Sequence, residues 1–216
     1  MCKGVASKVM SDPTRGRSVY LDCPEAREAQ DLLLLFADLQ LAAKACETLL
    51  ALGPATEENG HIEEALWTSA LVAYFRCFGQ GLRLRLRPAI LFSAEQIRAH
   101  DAMKRVRDQH LAHSIDDLSL ARIEIVLEPE ARPGVFGVAA LATRLIAPEP
   151  KEIERFRGLV GTAAAWVESR FQAVQGELLA AARRLDIAEL YKIPSRPVAT
   201  GSFESPRRRT RPAMSR

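Results

Sequence analysis

Cysteine is scarce and scattered in this sequence. Cys2, Cys23, Cys46 and Cys77 form no C-x-x-C pair, which argues against both a zinc ribbon and a disulfide framework. No stretch reaches the roughly 18 uncharged apolar residues that a membrane span needs. The opening MCKGVASKVMSDPTRGRS lacks the apolar centre of an export signal. A reducing cytoplasm is therefore the expected home, with no membrane partner. There is no G-x-G-x-x-G or P-loop, and Ser114 has no nucleophile elbow around it. No cofactor is expected.

What is present is an ordinary globular composition. The 216 residues are 48% hydrophobic, enough for one large core or two small ones. The net charge of +3 is unevenly spread: from Ile193 onward six arginines face one glutamate, a net of +5, so residues 1–192 sum to −2. Arginine outnumbers lysine 24 to 6 in an alanine-rich chain. A GC-rich coding sequence produces that bias without selection for phosphate binding, so arginine abundance alone carries little weight.

The expected fold is mainly α, a bundle of about four long helices with a small β-hairpin inserted before the last one. Residues 1–21 read as a loose N-terminal segment, 22–191 as the helical domain and 192–216 as a disordered basic tail. Asp22-Cys23-Pro24-Glu25 has the form of a capping box. It opens a helix whose apolar residues Leu32, Phe36, Leu39, Ala43, Cys46 and Leu50 run to Gly53-Pro54. A second helix from Asn59 carries Ala65, Trp67, Leu71, Tyr74 and Phe78 and breaks at Gly79 and Gly81. Ser93-Ala94-Glu95-Gln96 caps a third, ending near Ser114. Alternation from Arg122 to Glu128, the turn chemistry of EPEARPG and the run Val135–Ile146 give a hairpin at about 121–146. After Pro148 and Pro150, Ile153, Phe156, Val160, Ala163, Val167, Phe171, Val174 and Leu178 repeat at coiled-coil-like spacing.

Two stretches carry possible chemistry. In GLRLRLRP an extended backbone places Arg83, Arg85 and Arg87 on one side and three leucines on the other. That comb reads either as a surface connector with its leucines tucked in or as an RNA backbone contact. The second stretch, RVRDQHLAHS from Arg105 to Ser114, lies at the end of the third helix. At 100° per residue, Met103, Val106, Arg107, His110 and His113 share an arc about 120° wide, with Arg105 and Asp108 away from it.

The segment Arg107-Asp108-Gln109-His110-Leu111-Ala112-His113 resembles the R-x4-6-H motif of HEPN domains, α-helical proteins that include metal-independent endoribonucleases, toxins and phage-defence effectors. The register from Arg105 to His110 also fits the spacing. It is set aside because valine follows Arg105 and the two side chains face different sides of the helix. The resemblance implies RNA cleavage by attack of a 2′-hydroxyl. His113 would be the proton-transfer group, since histidine titrates near neutrality, and Arg107 would neutralise charge growing on the phosphate. Asp108 would orient Arg107 or a partner chain, and His110 would be a second proton-transfer group. Family members usually pair so that two motifs line one cleft, so a homodimer through the helix carrying Arg107 and His113 is expected, with RNA and an antitoxin or regulatory protein as further partners.

Blander readings stand beside this one. The two histidines can be packed at a helix end, where a cationic ring is favoured by the macrodipole. His100, Asp101, His110 and His113 offer ligand atoms, but no recognised zinc spacing joins them and no metal is expected. Two function classes follow: a metal-independent endoribonuclease of toxin or phage-defence type, or a catalytically silent HEPN-like module that binds a protein partner or nucleotide.

Overall fold

The first helix, α1 (Pro24–Leu52), starts on a proline at its first position, where the missing N–H costs nothing. It stops where Gly53 turns to φ 78°, a left-handed conformation that glycine adopts without strain. A computed structural model describes residues 19–53, 56, 58–81, 83–112, 119–144 and 148–194, with the backbone alone at 109–112, 119–121 and 141–144. Within them α1 is followed by α2 (Gly60–Arg76), the short α3 (Pro88–Leu91), α4 (Ala94–Ala112), strands β1 (Ser119–Leu127) and β2 (Val135–Arg144), the long α5 (Pro150–Ala182) and the short α6 (Ile187–Lys192). The fold is thus mainly helical, with four long helices and a two-stranded hairpin ahead of the long α5, as the periodicity predicts.

At the start of α4 the predicted capping box is fully made. Gln96 N–H donates to Ser93 Oγ at 3.3 Å, and Ser93 N–H donates to Gln96 Oε1 at 3.0 Å. Two otherwise orphaned amides are satisfied reciprocally. The Gln96 side-chain amide also donates to Thr162 Oγ1 at 3.1 Å, tying α4 to α5.

The chain divides into two compact units, residues 30–172 and residues 19–29 with 173–194. In the larger, Leu32, Leu35, Leu39, Ala42, Cys46 and Leu49 of α1 are buried, as are Trp67, Leu71 and Tyr74 of α2 and Phe156, Val160, Ala163 and Val167 of α5. This shifts the expected α1 face by about one residue. Leu35, Ala42 and Leu49 are inside, whereas Phe36, Ala43 and Leu50 are only partly covered. On α2, Ala65 is exposed rather than inside. The α5 pattern holds at Ile153, Phe156, Val160, Ala163, Val167 and Val174, while Phe171 and Leu178 stay part-exposed.

Phe156 is the centre of the larger core. Its ring meets Trp67 edge-on at 5.2 Å and Tyr74 at 4.9 Å, the T-shaped geometry that aromatic quadrupoles favour. In the smaller unit Ala26 and Val174 are buried, and Asp186 caps α6 by accepting from Ala188 N–H at 2.8 Å. Among the described residues no helix is long and apolar enough to cross a membrane.

Candidate anion-binding cleft

Residues 83–87, ahead of α3, form no strand, yet the alternation survives at 85–87. Leu86 is buried while Arg85 and Arg87 are exposed. Two backbone amides pin the segment: Leu86 N–H donates to the Cys77 carbonyl at 2.9 Å, and Leu84 N–H to Asp31 Oδ2 at 2.8 Å. The tucked-leucine reading is correct for Leu86, and Leu82 lies outside the described residues. The arginines do not act as one comb. Arg83 turns to α1, where its Nη2 meets Asp38 Oδ2 at 3.2 Å, and Arg76 at the end of α2 reaches Asp38 Oδ1 at 3.4 Å. Asp38 is nearly buried, so two cations held by one carboxylate leave a net positive charge at this spot.

Arg107 faces the same region from α4. Its guanidinium lies 5.1 Å from the Phe75 ring centroid, a cation–π contact, and its Nη2 is 2.7 Å from Asp108 Oδ1. Nε of Arg107 is buried with no hydrogen-bond partner among the described residues. Two neighbouring hollows meet at this side chain and share Phe75, Gly79, Gln80 and Arg107. One, of about 340 Å³, adds Arg76 and Arg83. The other, of about 360 Å³, adds Arg85, His100, Asp101 and Lys104. Five cationic side chains thus line a cleft where Asp38, Asp101 and Asp108 offset three of them, and the remaining net of two positive charges attracts phosphate or carboxylate groups.

Under the second hollow lies a polar pair that the sequence did not single out. Tyr74 Oη and His100 Nδ1 are hydrogen-bonded at 2.9 Å, the donor being set by the histidine tautomer. Rings of Tyr74, Phe75, Phe78 and Phe92 surround the imidazole with centroids 4.6–5.8 Å away. Burial lowers the His100 pKa from 6.5, only partly offset by Asp101, and raises that of the Tyr74 phenol. Both groups are therefore neutral at pH 7. Burial also pushes the Cys46 and Cys77 thiols up to about 12, so neither supplies a thiolate nucleophile.

The residues predicted from the sequence divide clearly. Arg107, Asp108, Arg83 and Arg85 belong to the cleft or its rim, while Arg87 is exposed and lines neither hollow. Arg105 is exposed on the other side of α4, as the wheel requires. The backbone of His110 continues α4, and its side chain lies outside the described ones, as does all of His113. Lys104, Gln80 and Asp38 gave no separate signal. For Arg76, in YFRCF, the sequence leaves two readings open, the cleft of Arg107 or solvent, and the side chain lines the first hollow. Among the described residues no group of three or more His, Cys, Asp or Glu side chains could hold a metal ion. No family model, curated protein or solved structure matches the chain.

Proposed function

We propose that the protein is a HEPN-like, metal-independent endoribonuclease of toxin or phage-defence type that grips the RNA backbone in the cleft around Arg107. The observation that carries this is the position of Arg107 where two cation-lined hollows meet, with Arg76, Arg83, Arg85 and Lys104 about it. In the reaction His113 takes the proton of a ribose 2′-hydroxyl, O2′ bonds to phosphorus, and the P–O5′ bond breaks. The departing O5′ receives a proton from His110, leaving a 2′,3′-cyclic phosphate and a 5′-hydroxyl. Arg107, aligned by Asp108, holds the phosphate oxygens as their charge grows. A cytoplasmic homodimer restrained by an antitoxin or other regulatory protein completes this reading.

One observation favours a second reading. Arg107 already has a carboxylate and an aromatic ring as neighbours, and each hollow is of a size that suits a mononucleotide. A catalytically silent module that binds a nucleotide or protein partner accounts for both facts. Incubating the full chain with labelled RNA in EDTA separates the two. Cleavage leaving cyclic-phosphate ends, abolished in Arg107→Ala and His113→Ala but not in Arg105→Ala, supports the nuclease. Intact RNA in every sample, with nucleotide retained by wild type and not by Arg107→Ala, supports the silent module.

A further inference from the structure

Directly opposed residues of an antiparallel pair share a face, so the register fixes what each side of the hairpin presents. Ile123 opposes Ala140, Ile125 opposes Val138 and Leu127 opposes Val135. That face bears no charge over these three pairs. The other bears Arg122 and Glu124, joined by an ion pair at 2.7 Å. The apolar face is wide open to solvent: Ile123, Ile125, Leu127, Val135 and Val138 are each 59–69% exposed, while on the other face Val126 is 37% exposed and the Arg122 side chain is exposed as well. Phe136, at the bulge where the register shifts, is 77% exposed. An isolated two-stranded ribbon is marginal in water at best, and a contiguous apolar face of this kind marks an interaction surface.

We propose that this face is a self-association surface on which the hairpin of a second copy of the chain packs. Its lack of charge disfavours a nucleic acid or an acidic partner, whereas an identical uncharged face is its own complement in a two-fold pairing. Area allows it: fully covered, the five residues and Phe136 would give up at most roughly 800 Å² per chain, about what each partner gives to an interface of standard size. The chain's own terminal stretches are poor candidates for the cover. Residues 1–18 offer Val5, Val9 and two methionines as large apolar side chains, and residues 195–216 offer Val198, Phe203 and Met214. The inference concerns a different element from the cleft and is tested without RNA, and its two-chain species is the same homodimer that the RNA reading expects.

Sedimentation velocity of the full chain at micromolar concentration is the test. The expected species has twice the 23.9 kDa chain mass. Ile125→Glu, which sets two charges against each other at the centre of the interface, is expected to weaken the dimer at least a hundredfold with unchanged helical circular dichroism. Should that variant lose helicity, a second pair decides. Ile125→Cys is expected to be joined between copies by a thiol cross-linker of about 10 Å span, the separation of packed sheets, above the wild-type background. Glu124→Cys, on the opposite face, is not. A monomeric wild type, a dimer untouched by a folded Ile125→Glu, or equal cross-linking at both positions overturns the proposal.

Discussion

His100 and Arg107 lie two turns apart on one stripe of α4, and their neighbours treat them in opposite ways. His100 is enclosed by four aromatic rings and kept neutral by burial. Arg107 touches one of those same rings, Phe75, yet stands at the mouth of a cleft lined by other cations. The lesson is that α4 passes from core to site within two turns, with α2 supplying the wall for both. Mutations that act on one half and not the other measure how separable packing and charge are here.

The largest effect should come from removing what both halves rest on. Phe156→Ala deletes a fully buried ring in contact with Trp67 and Tyr74. Urea titration should show a loss of about 3–5 kcal/mol. A loss under about 1 kcal/mol would mean that this core is not packed as described. Arg107→Ala should do the converse. Its cation–π contact and its pair with a half-exposed Asp108 are worth about 1 kcal/mol or less to stability. RNA cleavage, if the nuclease reading is right, should fall about a hundredfold or more in single-turnover assays. Equal loss of fold and activity would erase the distinction between the halves.

Smaller effects probe His100 itself. Its folded pKa is lowered, so as pH falls below about 6.5 the unfolded chain takes up a proton that the folded chain refuses. Its contribution is therefore complete above that pH and is lost as pH drops towards the lower folded value. His100→Gln should flatten the acid limb of stability measured by urea titration between pH 7 and 5. Tyr74→Phe, which removes the hydroxyl bonded to Nδ1, should cost about 1 kcal/mol at neutral pH. An acid limb unchanged in His100→Gln would show that other groups set it.

Sequence patterns reached the helices and the hairpin because those rest on local chemistry. Ser93 and Gln96 announce a helix start, Gly53 a helix end, and the alternation after Arg122 a strand; all three are visible within a few residues. The inward face of α1 was misread because DLLLLFADLQL is apolar at nearly every position, which leaves periodicity no basis for choosing Leu35 over Phe36. The aromatic enclosure of His100 was not legible at all. It gathers positions 74, 75, 78 and 92 around position 100, and only tertiary packing brings them together. For the same reason Arg107 was found on its helix while Lys104 and Asp38 were not: nothing in their local sequence points to the cleft.

The finest comparison is between two arginines that an extended comb would make equivalent. Arg85 lines the hollow below Arg107, whereas Arg87 is exposed and lines neither hollow. Single-stranded RNA that contacts Arg85 releases counterions there, so Arg85→Ala should lower the slope of log affinity against log salt by about 0.7. Arg87→Ala should leave it unchanged. Arg83→Ala is the informative third case. It removes a cation from the cleft but also takes one of two partners from the nearly buried Asp38, so its loss of binding should come with a loss of stability that Arg85→Ala does not show. Filter binding from 50 to 200 mM salt, beside urea titrations of the three variants, reads both quantities. Equal slopes for Arg85→Ala and Arg87→Ala would return the segment to a solvated connector and leave Arg107 without that neighbour in binding.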